Sequence, residues 1–193
     1  MSIVTGTGNM TPESLAEGKT DRLWKPWEAS DKLLPFLGVW ESGVLNGTFR
    51  GLPVAQGMIL EVYNDHPENP KINKPTVGMG HVVLDKDHLK VGDKVSVQKA
   101  MEFLKSDIKI VEDQVNKKIK VPLYQYEYDA LVSIGINAGA YGGLTEISEI
   151  VNKGIYKDIP KIIKTYHAKV EGKLKRRTAE AKLFGEGIYD TDH

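Results

Sequence analysis

Apolar residues recur along this chain with two different periods. Leu33, Leu34, Phe36, Leu37 and Trp40 form a short helical run that Ser30 is expected to cap, unless Pro35 delays its start, and that should stop at Ser42-Gly43. Between Gly43 and Leu84 the helical period vanishes. Glycines at 47, 51, 57, 78 and 80 and prolines at 53, 67, 70 and 75 separate β-prone runs such as Ile59-Leu60-Glu61-Val62-Tyr63, which predicts a small antiparallel sheet. After Val91 the residues Val97, Ala100, Phe103, Leu104, Ile108, Val111, Val115 and Ile119 fall at three- and four-residue steps, as in one long amphipathic helix. A second apolar run through Tyr126, Ala130, Leu131 and Ile134 ends at Gly139 and Gly142-Gly143. Thr145 is expected to cap a further helix that stops at Gly154, and Asp158 another with Pro160 in its first turn. A last one, around Leu174 to Phe184, should meet its end at Gly185.

These elements predict an α+β protein dominated by helices, with its sheet segregated near the N-terminus. The expected division is a sheet lobe over about 43–90 and a helical lobe over about 91–189, both within one domain spanning 29–193. Residues 1–28 are rich in Gly, Thr, Ser and Glu and show little periodicity before Trp24 and Trp27. They read as a tail or linker whose tryptophans dock onto the body. At 193 residues and 40% hydrophobic content, one substantial core can be buried but two ordinary domains and a linker do not fit. There are no internal repeats, low-complexity tracts or heptads, which removes solenoid and fibrous architectures.

Charge narrows the partners. With 26 basic and 26 acidic residues the formal net charge is zero, so no global field draws the chain to nucleic acid or to an anionic membrane. The absence of cysteine removes disulfides, thiolate nucleophiles and cysteine-held metals. No stretch approaches the roughly 18 apolar residues of a membrane span, and Met1 to Glu17 lacks the basic-then-apolar order of a signal peptide.

Several familiar chemistries also fail to appear. Gly78-Met79-Gly80 is a fragment of a dinucleotide fingerprint without its third glycine or following helix. The five histidines are scattered, and neither a phosphate loop nor a Gly-x-Ser-x-Gly elbow is present, so no cofactor and no metal are expected. Carboxylates around the glycine-rich region remain, which is the equipment of a glycosidase. Glu41 ends an apolar helix beside Trp40, where partial removal from water would keep it protonated as a general acid. Asp65, in the turn Tyr63-Asn64-Asp65-His66-Pro67, would stay ionised.

Tyr63-Asn64-Asp65 followed by Thr76-Val77-Gly78-Met79-Gly80-His81 resembles the pattern of the phage-type lysozyme family. Downstream, Gln125 to Ser133 with Asn137-Ala138-Gly139 resembles that family's helix ending in Asn-x-Gly. Arg176-Arg177-Thr178-Ala179-Glu180-Ala181-Lys182-Leu183-Phe184 is similar to its Arg-Arg-x-x-Glu-x-x-Leu-Phe segment. The family includes bacteriophage endolysin muramidases, with pesticin-like toxins and secreted lysozyme effectors among its relatives. The resemblance implies a lysozyme-like fold with the active-site cleft between a small sheet lobe and a larger helical lobe. It implies hydrolysis of the β-1,4 bond between N-acetylmuramic acid and N-acetylglucosamine in peptidoglycan, without cofactor or metal.

In that family a helix-terminal Glu followed by Gly donates the proton, an Asp about nine residues later is the second carboxylate, and a Thr helps hold water. Asp65 and Thr76 carry over directly. The residue nine before Asp65 is Gln56, in Gln56-Gly57. Either Trp40-Glu41-Ser42-Gly43 is the acid segment, followed by an inserted hairpin through Asn46-Gly47 and Leu52-Pro53, or the acid has become Gln56 and the protein only binds peptidoglycan. The helix before Glu41 favours the first. Tyr63, Asn137 and Gly139 are expected to contact substrate. A lytic transglycosylase is the nearer enzymatic rival, and a structural part of a phage tail or secretion device the more distant one.

The resemblance also frames the biology: a monomer made in the cytoplasm without a signal peptide and delivered to the wall by holin or secretion machinery, in some settings with an immunity protein, and engaging neither nucleic acid nor membrane. Arg176 and Arg177 are expected to support the fold by pairing with carboxylates, and His81 to order the sheet from beneath. Tyr126, Tyr128 and Phe103 are expected in the core.

Overall fold

The computed structural model describes residues 21–25, 27–168 and 171–192. They form two compact units, one of residues 34–107 and one that joins the described residues up to Leu33 to those from Ile108 onward.

The first unit carries a five-stranded antiparallel meander in sequential order: β1 (Gly47–Phe49), β2 (Leu52–Ala55), β3 (Met58–Asn64), β4 (Pro75–Gly78) and β5 (His81–Val82). Two-residue turns close the first two hairpins, Arg50-Gly51 at φ 50° and 81° and Gln56-Gly57 at φ 52° and 78°. Positive φ at both central residues matches the right-handed twist of the strands they join. The β3–β4 ladder is interrupted between Ile59 and Tyr63. There the segment around Asp93 takes over, with Val62 N–H donating to Asp93 at 2.9 Å and Val95 N–H to Leu60 at 2.9 Å. Helix α1 (Leu33–Ser42) precedes the sheet, and the first half of α2 (Val97–Lys118) follows it. Val62, Val77 and Phe103 form a buried cluster, with Val83, Leu89 and Val95 packed on it.

The second unit holds the rest of α2, then α3 (Gln125–Ala138), α4 (Thr145–Val151), α5 (Ile159–Thr165) and α6 (Glu171–Glu186). A π-type turn at Gly139–Gly143 follows α3. Gly135 lets α3 approach α2, because a Cβ there would lie 2.4 Å from Val111 Cγ1. No described helix is long and apolar enough to cross a membrane.

Local details depart from the sequence pattern. The Ser30 hydroxyl donates to Asp129 and does not cap α1, although the Ser30 carbonyl accepts from Leu33 N–H at 3.0 Å. Thr145 is the first residue of α4 and donates to the Tyr141 carbonyl at 2.9 Å, so the cap position falls on Leu144. Asp158 precedes α5 without a side-chain cap bond, and Pro160 lies in that first turn as expected. Helix α6 runs through Gly185 to Glu186 and yields to Gly187 at φ 69°. Gly185 answers a packing need instead, since a Cβ there would stand 2.9 Å from Pro160.

The described part of the expected tail is built into the helical unit. Leu23 pairs with Leu123 through two backbone hydrogen bonds, and Trp27 is buried against Tyr128 with ring centroids 5.7 Å apart. Trp24 is 51% exposed and does not dock. Residues 1–20 of that expected tail lie outside the described residues.

Candidate active site

Glu41 occupies the last turn of α1, half-buried. The helix ends there because Gly43 adopts φ 77°, its N–H donating to the Val39 carbonyl at 2.8 Å, while Ser42 Oγ reaches the Val44 carbonyl at 2.6 Å. Two glycines let α1 come close to the sheet. A Cβ on Gly57, in the β2–β3 turn, would sit 2.3 Å from Gly38 Cα, and one on Gly38 would sit 2.8 Å from Gly57 Cα. Only a backbone-to-backbone approach fits, and it fixes where the helix end delivers its carboxylate. Glu41 Oε2 then lies 3.8 Å from where a Cβ on Gly80 would be, over the β4–β5 turn.

Asp65 follows β3. Its backbone is tied down, with N–H donating to the Lys74 carbonyl at 3.2 Å and C=O accepting from Arg50 Nη1 at 3.3 Å. Its carboxylate stays about half exposed, 3.4 Å from His66 Nε2. Thr76, on β4, is buried and faces Tyr63 across the ladder. Its hydroxyl donates to the Lys74 carbonyl at 3.1 Å, which leaves oxygen lone pairs as its remaining capacity.

Tyr63 ties these groups into one electrostatic field. Burial, then the negative charges of Asp65 and Glu41, push its phenol up to about 12 against the opposing pull of Arg50.

Gln56 sits elsewhere. It is exposed at φ 52° in the β2–β3 turn, its N–H donating to Asn46 Oδ1 at 3.1 Å, and its side chain borders a cavity of about 390 Å³ lined also by Val97, Gln98, Met101, Glu102 and Lys105. It ends no helix.

His81 is 8% exposed beneath the sheet, stacked on Phe103 at 4.2 Å, with Nδ1 2.9 Å from Asp107 and Nε2 3.3 Å from Asp87. Burial works to raise the Asp87 carboxyl, but the Leu84 N–H and His81 outweigh it and hold that carboxyl below its ordinary range.

In the helical unit, Asn137 Oδ1 accepts from Arg177 Nη2 at 2.9 Å, and Gly139 is exposed at φ 99° where α3 gives way to the π-type turn. Arg177 donates to the Tyr166 carbonyl at 2.8 Å and to Glu180. Arg176 Nε meets Glu180 at 3.2 Å and Ser133 Oγ donates to it at 2.7 Å, so both arginines bind a buried carboxylate. Tyr128 is fully buried, whereas Tyr126 is only half-buried and stacks on Tyr124 at 5.2 Å.

Three groups escaped the sequence reading: the Gly38–Gly57 contact, Arg50, and the buried pair of Arg22 with Glu127. Glycine following Gln56 was the one local signal available for the first.

The family model described as Phage lysozyme matches residues 54–180, well over half of the chain. The endolysin of Acyrthosiphon pisum secondary endosymbiont phage 1 is 36% identical over 118 residues, covering 56% of this chain and 78% of its own length. The endolysin of Salmonella phage P22 is 34% identical over 108 residues, covering 54% and 70%. Among solved structures, an endolysin from Escherichia coli O157:H7 phage FAHEc1 superposes with a TM-score of 0.67 at 27% identity, over 87% of this chain and 99% of that one. The chain belongs to the phage lysozyme family and is a peptidoglycan-cleaving glycoside hydrolase.

Proposed function

We propose that the chain hydrolyses the β-1,4 bond between N-acetylmuramic acid and N-acetylglucosamine, with Glu41 as general acid. Glu41 protonates the leaving oxygen, Asp65 stabilises or activates the water side, and Thr76 orients the water by accepting a hydrogen bond from it. Tyr63 donates to the sugar beside the two carboxylates. The observation that carries this reading is the placement of the Glu41 carboxylate over the β4–β5 turn, with Oε2 3.8 Å from where a Cβ on Gly80 would be. It is joined by the position of Glu41 at the end of a helix, where Gln56 occupies a hairpin turn. Delivery to the wall as an endolysin or antibacterial effector completes the proposal.

Glu41→Gln keeps the shape of the side chain but cannot donate the proton. Release of soluble fragments from purified sacculi is expected to fall by at least about 100-fold, with thermal stability little changed. A wild type that releases nothing, and a Gln56→Glu variant that does, would transfer the acid role to position 56. A product ending in an anhydro sugar would instead assign a lytic transglycosylase.

A further inference from the structure

Strand β1 and the turn Arg50-Gly51 lie before residue 54, outside the residues that the family model matches. The turn has two residues at positive φ, a geometry that favours Asn, Asp or Gly at its first position. Arg50 stands there at φ 50°, so backbone geometry gives no reason for an arginine. Its side chain has a definite place all the same. The guanidinium carbon lies 5.0 Å over the Phe49 ring, Phe49 meets Tyr63 edge-on at 5.9 Å, and Nη1 donates to the Asp65 carbonyl at 3.3 Å. Of the five N–H donors of this exposed guanidinium, the Asp65 carbonyl takes one, and it makes no other hydrogen bond among the described residues.

The first hairpin therefore brings a cation, already oriented by an aromatic ring and a backbone carbonyl, to the segment that carries Asp65. The substrate proposed above is an anion. Its muramic acid sugar bears a lactyl carboxylate and, through it, a stem peptide with further carboxylates. A guanidinium fork matches a carboxylate with two parallel hydrogen bonds. We propose that Arg50 is a specificity-determining residue whose guanidinium binds a carboxylate carried by the muramic acid side of the substrate, beside Asp65. The inference rests on the active-site reading above.

Equilibrium binding is measured in a Glu41→Gln background, so that ligands are not turned over, with Arg50 intact or changed to Asn. Three probes separate the sources of charge: chitotetraose, which has no carboxylate; peptide-free glycan with lactyl carboxylates; and glycan carrying stem peptides. Arg50→Asn should weaken binding of one or both carboxylate-bearing probes by about three- to tenfold and leave chitotetraose unchanged. The probe affected identifies the carboxylate. Arg50→Lys should retain part of the difference, and added salt should shrink it. Because Asn suits this turn, the Asn variant should melt at the wild-type temperature or above, which excludes misfolding as the cause. Equal weakening on all three probes, or none on any, overturns the proposal. A protein with Arg50 intact that binds no probe defeats the active-site reading itself, before any Arg50 variant is compared.

Discussion

Arg22 is buried, its guanidinium on both oxygens of Glu127 at 2.7–3.2 Å and over the rings of Tyr124 and Tyr156 at 4.3 and 3.7 Å. Burial holds the Glu127 carboxyl above its ordinary value of 4.5 despite the arginine. Arg22→Ala strands that carboxylate in the interior and should cost about 3–5 kcal/mol at neutral pH. Because the folded-state value is raised, the group favours the folded state fully below 4.5 and loses that advantage as pH climbs through the raised value. The gap between Arg22→Ala and wild type should therefore narrow on acidification toward pH 4.5, as urea titrations at several pH values can establish. A constant gap would mean that lost packing, and not the stranded charge, dominates. No sequence pattern pointed to this pair, since its partners lie 105 residues apart and Arg22 sits in a stretch without periodicity. Asp65 and Thr76 became candidates through the family pattern, which survives in sequence because both flank one local connection between neighbouring strands.

Among the elements, α1 and the β2–β3 turn depend on each other through Gly38 and Gly57. Gly57→Ala adds a methyl that meets backbone at 2.3 Å, at a φ of 78° that alanine rarely adopts. It should cost about 3 kcal/mol and move the end of α1, reducing turnover beyond what the loss of folded protein explains. Activity normalised to folded fraction would decide this, and normal specific activity would show that Glu41 holds its place without the contact. Hydrophobic period made α2 legible, because it shows a repeated apolar face, whereas α1 and α3 were legible as apolar runs, α3 being buried on every side from Glu127 to Gly135. Helix ends were less so. Gly185 looks like the stop signal, yet it is the penultimate residue of α6 and faces Pro160, a packing requirement set by a different element, while Gly187 makes the left-handed turn.

At the scale of the whole molecule, the division falls within α2, between Asp107 and Ile108, where the apolar repeat continues unbroken. The pattern could not announce that boundary, nor that residues before Leu34 belong with those after Asp107. Native-state hydrogen exchange should show it. The paired amides of Leu23 and Leu123 should open together with the amides of α3, at a free energy distinct from that of Val62. Protection of Leu23 that tracks Val62 would contradict the partition. The pairing of Leu23 with Leu123 also has a meaning for synthesis. A ribosome finishes residues 34–107 as an unbroken stretch, whereas Leu23 waits for a partner made 100 codons later, roughly 5–20 s at ordinary elongation rates. The Arg176–Arg177–Glu180 network arrives later still. A nascent chain halted before α6 therefore carries both Glu41 and Asp65 and the buried Arg22–Glu127 pair, but lacks the two arginines and the glutamate that tie α6 to α3.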